Sequence, residues 1–360
     1  RPICNELHAL VKKEAIEIAH FHNTLPLISL AAYGAVRSAG AAVVQTLHNH
    51  RMICPKAVLY RDGKVCTDCV GRSFAWPGIV HGCYRGSRLA TATIALVQLA
   101  HRVRGTYEND VDLYIAPSQS TFDRLSPFLP ANRIVVKPHF IDPDPTPGQG
   151  QGGYAVFLGR LSPEKGLETL LKAWAKVGPT PSSALAGEGT GPTLRIIGDG
   201  PLAPLLRSPP PGVQWLGRQP LDSAYSLIGD AAMLIFPSGC PETFGRSIAE
   251  AFAKGTPVIA SNLGASPEMI EPGRTGLLFE PGNAEDLARQ ITDLNSDPVR
   301  LRGMRQAARH EYETKYNAAS NYDQLTSIYA RALSLRHNDN LVRPQQPQLH
   351  HHELGRREPA

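Results

Sequence analysis

The sequence predicts an α/β fold of two Rossmann-like, doubly wound parallel-sheet domains that face a cleft. Three observations predict it. Short β-branched strands alternate with helical segments, 360 residues exceed one ordinary domain, and one Pro- and Gly-rich segment, DPDPTPGQGQGG at 142–153, divides the alternation into two arrays. Ligands of such sheets bind beyond the carboxyl ends of the strands, so we expect the functional site between the two halves.

Residues 1–141 are predicted to form the N-terminal domain. The runs at 15–21 and 41–48 are typical of strands, and the segment between them has helical apolar spacing that ends at Gly40. Such a strand–helix–strand unit requires parallel strands. The domain continues with an irregular, Cys-rich excursion at 51–84, a helix at 87–103, a strand at 111–118, a short helix, and a strand at 133–138.

After the linker at 142–153, residues 154–335 repeat the alternation and are predicted to form the C-terminal domain. The predicted strands are 154–160, 193–200, 213–218, 233–238 and 256–261, and the predicted helices are 166–177, 222–231 and 246–255. A helical region at 298–335 follows, with a break near 315–317. The tail, 336–360, is rich in Pro, Gln and His and is predicted to be disordered.

The charge of the chain is weakly basic and concentrated in its first half. The net charge is +5, and Lys and Arg outnumber Asp and Glu by 16 to 11 in residues 1–150. Anionic lipid headgroups, phosphorylated substrates and ordinary solubility all stay open as explanations, and we expect no nucleic-acid partner. The sequence shows neither an apolar run of about 18 residues nor a secretory signal, so a cytoplasmic location is expected, with peripheral contact at the inner membrane face as a variant.

Six cysteines are present, and four of them are clustered. A disulfide framework is not expected in a chain of this size without an export signal. Two states of the clustered cysteines stay open. They could hold a structural zinc with four thiolates, or they could be reduced thiols without a metal. A catalytic thiol is less favoured than either state. The clustered residues are Cys54, Cys66, Cys69 and Cys83.

Two cations follow the first strand of the second half. In FLGRLSPEKGLETLL, Arg160 comes just after a strand and Lys165 just before a helix. A strand-to-helix turn exposes backbone N–H groups and the positive end of the helix dipole, so two added cations favour a diphosphate site. The alternative is that both are ordinary surface cations. In that case the positive charge of Lys165 would be slightly unfavourable beside the positive end of the helix dipole.

Two acids follow a later strand. In PETFGRSIAEAFAKG, Glu242 lies in a loop and Glu250 in the next helix, and eight residues at 1.5 Å span roughly 12 Å, about the reach from a transferred sugar to a ribose. Each carboxylate can accept paired hydrogen bonds from vicinal hydroxyls. The alternative is structural, with Glu242 favouring a helix start and Glu250 pairing with Lys254.

Together these motifs resemble glycosyltransferase family 4, retaining enzymes of the GT-B fold. The motifs are GRLSPEKG at 159–166, IIGDGP at 196–201, PETFGRSIAEAFAKGTPVIAS at 241–261 and EMIEPGRTGLLFEPGN at 268–283. The resemblance covers the whole chain except the tail. It implies a nucleotide-diphosphate-sugar donor bound without metal, and an acceptor of unknown class on the N-terminal side.

The resemblance also implies roles for individual residues. Arg160 and Lys165 would neutralise the donor diphosphate, and Glu250 would hold the ribose. Glu242 would hold the hydroxyls of the transferred sugar. Further contacts with the sugar would come from the backbone amides of Phe244 and Gly245. His48, which ends a strand of the first domain, would also contact the sugar.

One departure and three alternatives remain. Members of this family open with a strand and a glycine-rich loop, and neither is found before residue 15, so the N-terminal domain is expected to be truncated and the chain then inactive on its own. A nucleotide-sugar epimerase and a non-catalytic sugar-nucleotide-binding module stay open. Gly198, Gly200, Ala203 and Asp222 also outline a dinucleotide fingerprint, which would indicate an NAD-dependent oxidoreductase.

Overall fold

The computed structural model describes residues 2–25, 28–177 and 193–342. Within these ranges, no helix is both long and apolar enough to span a membrane. The predicted tail begins inside a helix that extends to Val342, so residues 336–342 are helical rather than disordered. The rest of the predicted tail lies outside the described residues.

The first half forms a four-stranded parallel sheet in the order β1-β2-β5-β6, with a two-stranded hairpin, β3-β4, in the Cys-rich excursion. The strands are β1 Ile18–His22, β2 Ala42–Thr46, β3 Tyr60–Arg61, β4 Lys64–Val65, β5 Leu113–Ala116 and β6 Ile134–Val136. The helices are α1 Pro2–Lys13, α2 Ala31–Ser38, α3 Trp76–Val80, α4 Arg88–Val103, α5 Thr106–Asn109 and α6 Gln119–Leu125.

Helix α1 was not assigned from the sequence. It packs on α2 and buries Val11 in a core shared with Tyr33 and Val36. Its apolar residues, Ile3, Leu7, Leu10 and Val11, follow helical spacing, so the sequence contains a usable signal for α1, and packing against α2 shows which face is buried.

The second half forms a six-stranded parallel sheet in the order β12-β11-β10-β7-β8-β9. The strands are β7 Tyr154–Leu158, β8 Thr193–Ile197, β9 Val213–Gly217, β10 Met233–Phe236, β11 Val258–Ser261 and β12 Gly276–Phe279. The helices are α7 Leu167–Trp174, α8 Leu221–Asp230, α9 Arg246–Ala253, α10 Ser266–Met269, α11 Ala284–Asn295, α12 Pro298–Glu311 and α13 Ala318–Val342. The strand order reverses between β7 and β10, which is where ligands of such sheets bind.

The last helix crosses from the second sheet to the first. A π-helical turn, Tyr312–Tyr316, separates α12 from α13 at the predicted break. Ile328 and Ala332 of α13 then pack on β2 and β5, against the face opposite α2. The sequence analysis grouped this helix with the C-terminal domain because only its position in the chain was visible. The domain boundaries themselves stay a prediction.

Candidate active site

The turn after β7 brings two predicted cations to the switch point between β7 and β10. Arg160 follows the strand, a 3₁₀ turn at Pro163–Lys165 follows, and α7 begins after Gly166. Gly166 has φ +74°, and a Cβ there would lie 1.8 Å from the carbonyl oxygen of Pro237. The glycine therefore lets the β7 and β10 turns touch, which sets Lys165 beside the loop that carries Glu242.

Lys165 and Glu242 form an ion pair inside the crevice. The Lys165 Nζ lies 2.5 Å from Glu242 Oε1, and the Ser238 hydroxyl lies 2.8 Å from the same oxygen. The two charged side chains are 30% and 16% exposed. Burial opposes the charge on Lys165, but the neighbouring carboxylate outweighs burial and raises the pKa of the ammonium. Lys165 therefore stays positively charged although its side chain is largely buried.

Glu250 is held one turn into α9. The guanidinium of Arg246 contacts it, with Nε 3.0 Å from Glu250 Oε1. Burial raises the pKa of Glu250, and Arg246 offsets that rise only in part. The predicted pairing of Glu250 with Lys254 is not formed, because Lys254 donates instead to the carbonyl oxygen of Pro145, at 2.9 Å. Since α9 begins at Arg246, only half of the eight-residue spacing to Glu242 is helical.

Phe244 and Gly245 precede the first turn of α9. Gly245 is its N-cap, and no side chain caps this end of the helix among the residues that the structure describes. A Cβ on Gly245 would lie 2.5 Å from Ile248 Cδ1 and 3.2 Å from Met269 Sδ. Packing beneath the loop therefore requires the glycine, a reason that the sequence analysis did not see.

Three adjoining cavities make up the crevice at the switch point. One, of about 300 Å³, is lined by Arg160, Lys165, Phe244, Arg246 and Glu250, among others. A second, of about 520 Å³, shares Phe244 and Arg246 with the first and adds Glu242 and His48. A third, of about 620 Å³, adjoins the first at Arg160 and extends to Arg218 and the Gly198–Gly200 turn. The structure thus brings together six predicted site residues, and Gly245 lies behind them.

His48 belongs to a row of imidazole rings on the N-terminal side of the crevice. Its Nε2 lies 2.6 Å from Nδ1 of His22, and its ring stacks on His139 with centroids 4.9 Å apart. His139 in turn meets the edge of Phe244, at 5.1 Å. The hydroxyl of Thr243 donates to the carbonyl oxygen of His48 at 2.9 Å, which joins the two halves beside Glu242.

The sequence analysis missed His139, Arg246 as a side chain, and Ser238. His139 follows β6 as His48 follows β2, and parallel strands end at the same edge, so the pattern VVKPHF contains a usable signal. Arg246 was considered only for its backbone N–H. No signal in the sequence indicates that Ser238 contacts Glu242, because the contact depends on how the loop folds.

The row of imidazoles predicts a stability that depends on pH. Burial, with neighbouring His22, lowers the pKa of His48 to about 4. Burial, with neighbouring His48 and Lys137, lowers the pKa of His139 to about 3. Because these folded-state values lie below the ordinary value of 6.5, stability is complete above 6.5 and falls as pH drops from 6.5 towards 4. We expect thermal melting of His48→Gln/His139→Gln to vary less with pH over that interval. A double variant with the same pH slope as the unchanged chain would contradict this.

Glu250→Gln is expected to separate stability from ligand binding. Since the folded-state pKa of Glu250 is raised, the charged carboxylate costs stability as pH rises through that value, so the glutamine variant should melt no lower at pH 7. At low pH, where the carboxyl is protonated in both states, this advantage disappears. Loss of a charge-assisted hydrogen bond to a ribose should weaken nucleoside diphosphate binding by roughly tenfold, measured by calorimetry. Unchanged affinity would contradict the ribose role.

The predicted zinc site is not supported. Over residues 2–25, 28–177 and 193–342, no group of three or more His, Cys, Asp or Glu side chains is placed to hold a metal ion. All four clustered cysteines are free thiols, and burial raises the pKa of Cys69 to about 11. Cys240, which lies 3.6 Å from Glu242 Oε1, has its pKa raised to about 12 by burial and by that carboxylate, so its thiol stays protonated.

Comparisons with known proteins show which proteins this chain is similar to. Residues 145–311 match the family model Glycosyl transferases group 1. A GDP-mannose-dependent monoacylated alpha-(1-6)-phosphatidylinositol monomannoside mannosyltransferase of Corynebacterium glutamicum is 24% identical, over 89% of this chain and 77% of its own length. An exopolysaccharide phosphotransferase of Streptomyces coelicolor is 31% identical over 57% of this chain. HepE of Anabaena, solved with UDP, has a TM-score of 0.68 at 18% identity and matches 91% of this chain and 82% of its own.

The two facing sheets and these likenesses establish the GT-B fold. The match to the Glycosyl transferases group 1 model, at residues 145–311, contains every predicted site residue except His48. The chain spans 22% of the Streptomyces relative and 46% of an uncharacterized glycosyltransferase of Methanocaldococcus jannaschii. The activity, donor and acceptor of the whole protein are therefore proposals.

Proposed function

We propose that this protein is a retaining glycosyltransferase that transfers a sugar from a nucleotide-diphosphate donor. One observation carries the proposal: three cations, Arg160, Lys165 and Arg246, line one cavity with the buried acid Glu250, and the second acid, Glu242, is paired with Lys165. A cavity with cations at one end and acids beyond them suits a molecule that has a diphosphate between two sugars.

The cations stabilise the leaving group. In the reaction, the acceptor oxygen forms a bond to the anomeric carbon while the bond from that carbon to the β-phosphate oxygen breaks. The proton of the acceptor hydroxyl passes to a phosphate oxygen on the same face, so configuration is retained without a glycosyl-enzyme intermediate. Negative charge grows on the departing diphosphate, where Arg160 grips oxygens and Lys165 acts as a point charge.

The acids and amides position the donor. Glu242 accepts hydrogen bonds from hydroxyls of the transferred sugar, and its pairing with Lys165 holds the carboxylate in place. The free amides at the start of α9, from Phe244 and Gly245, face the sugar and the β-phosphate. Glu250 holds the ribose. His48 contacts the sugar from the other sheet as a neutral imidazole.

The donor base and the acceptor are left open. One solved neighbour was crystallised with UDP, whereas the Corynebacterium relative is named for GDP-mannose and a lipid acceptor. A cell-surface polysaccharide, a lipid and a small molecule all fit as acceptors. Donor binding is proposed to need no metal, and the protein to act in the cytoplasm or at the inner membrane face.

The oxidoreductase alternative is disfavoured by the turn after β8. A Cβ on Gly198 would lie 1.9 Å from the Gly159 carbonyl oxygen, and one on Gly200 would lie 2.5 Å from that of Leu161. These glycines therefore allow the turn after β8 to pack directly against the turn after β7. A short 3₁₀ turn, Ala203–Leu206, follows in place of the helix that would hold a pyrophosphate.

A donor screen tests the proposal. The protein is titrated by calorimetry with UDP- and GDP-sugars and with NAD, and bound donors are then assayed for released nucleoside diphosphate. Tight donor binding with release is the expected result. Conversion to an epimeric nucleotide sugar would indicate the epimerase, binding without turnover would indicate the binding module, and preference for NAD would contradict the proposal.

A further inference from the structure

Helix α4 presents an apolar stripe to solvent. Leu89, Leu96 and Val103 are spaced by seven residues, close to two helical turns, so they lie on one face. Their exposed fractions are 80%, 56% and 80%. Exposed side chains of this size are ordinary when scattered singly, whereas three in a row on one helix indicate an interaction surface.

The preceding segment lies along the same helix and enlarges the apolar area. Arg88 Nε donates to the carbonyl oxygen of Val80 at 3.1 Å, and Arg102 donates to the carbonyl oxygens of Arg72 and Ser73 at 2.9 Å. These bonds fix the two ends of the segment 72–80 against α4. The segment adds two half-exposed apolar side chains, Trp76 and Val80, beside the stripe.

The charged side chains of this stretch of the sequence have one sign. Residues 69–107 contain no Asp or Glu, and their five arginines lie at the two ends of α4 and beside Trp76. The guanidinium of Arg72 sits 5.3 Å from the centre of the Trp76 ring. The arginines are Arg72, Arg85, Arg88, Arg102 and Arg104. We call these arginines, together with Trp76, Val80, Leu89, Leu96 and Val103, the α3–α4 surface.

We propose that the α3–α4 surface docks on a lipid bilayer with anionic headgroups. The apolar side chains would enter the headgroup boundary while the arginines pair with lipid phosphates, the arrangement of helices that lie in a membrane interface. Trp76 suits that depth because its ring is apolar and its N–H is polar. A second copy of the chain fits worse, because its own five arginines would face these five.

The same helix joins this surface to the crevice. Gln98, on its inner side, donates to the carbonyl oxygen of Arg51, and Arg102, in its last turn, donates to that of Met52 at 3.1 Å. Arg51 and Met52 line a small cavity together with His48. A docked bilayer would therefore lie on the acceptor side of the site, which favours a lipid-linked acceptor. Only this last step rests on the proposed function.

Cosedimentation with vesicles tests the docking itself. The full chain is mixed with phosphatidylcholine vesicles that contain either 30% phosphatidylglycerol or none, at low and high salt. We expect binding to the anionic vesicles alone, weakened by salt. Each arginine near an anionic surface contributes about fivefold, so Arg85→Gln/Arg104→Gln should weaken binding roughly 25-fold. Leu89→Ser/Leu96→Ser/Val103→Ser should weaken it by at least about tenfold, since three apolar side chains no longer enter the interface.

Matched variants make the test specific. Arg300→Gln/Arg302→Gln removes two exposed arginines from α12, and Leu221→Ser/Val299→Ser removes two exposed apolar side chains elsewhere. These controls should bind vesicles like the unchanged chain, and equal losses would overturn the proposal. The proposal would also be overturned if the unchanged chain did not bind anionic vesicles. A dimer seen by light scattering and abolished by the triple serine variant would likewise overturn it. Donor affinity, measured without lipid, should be unchanged in the surface variants, so failure here and failure of the proposed function are distinguishable.

Discussion

Replacing Glu242 by glutamine is expected to lower kcat for sugar transfer about 100-fold or more and to leave the fold intact. The carboxylate accepts hydrogen bonds that matter most when the sugar becomes cationic, and a neutral amide stabilises that charge poorly. The amide oxygen can still accept from Lys165 and Ser238, so the loop should keep its shape. Turnover is measured as released nucleoside diphosphate, and stability by thermal melting.

The matched control is Glu164→Gln. Glu164 lies in the Lys165 turn and contributes negative charge near that ammonium, yet it lines none of the three cavities of the crevice. Its loss should change kcat by less than about threefold, because the side chain is half-exposed, faces no cavity of the crevice and can still accept from Ser162 as an amide. If both substitutions lowered kcat equally, Glu242 would act only through its negative charge near Lys165 and not by contact with the sugar. Unchanged turnover in Glu242→Gln would contradict a role of Glu242 in sugar transfer.

Arg160→Ala is expected to weaken binding of a nucleoside diphosphate by about 10- to 100-fold, since hydrogen bonds to charged groups contribute about 1.5–3 kcal/mol. Binding of the corresponding nucleoside should change less than about twofold, because the guanidinium faces phosphate oxygens. Calorimetry with the two ligands gives the ratio directly. The effect should shrink at high salt as the phosphate charge is screened.

Lys172→Ala provides the comparison for Arg160. This lysine lies on the exposed side of α7 and lines none of the three cavities, so its removal tests the loss of one positive charge near the site. We expect both affinities to stay unchanged. If Arg160→Ala weakened diphosphate and nucleoside equally, the guanidinium would have a role other than gripping the diphosphate.

The sequence predicted most strands and the loops that carry the site because their signals are local. Turn residues such as Gly166 and the strand endings before Arg160 and Glu242 are visible as patterns, and parallel topology then brings those endings to one edge. The pairing of Lys165 with Glu242 was not foreseen. It depends on contact between the β7 and β10 turns, 77 residues apart, and no local pattern encodes that contact.

Three other features depend on packing between distant parts. Gly245 is required because Ile248 and Met269 pack beneath it. The position of α13 is determined by the apolar face of the first sheet. His48 stacks on His139 because the two residues follow neighbouring strand ends. Zinc, one of the two states that the sequence left open for the cysteines, is not supported, for a related reason. Cysteine spacing along a chain does not fix the directions of the thiols in an irregular excursion.

A crystal structure with the nucleotide sugar selected by calorimetry tests the central claim most directly. The account predicts diphosphate oxygens within hydrogen-bond distance of Arg160 and Lys165, sugar hydroxyls at Glu242 and ribose hydroxyls at Glu250. A diphosphate bound at the turn after β8, out of reach of both cations, would contradict it.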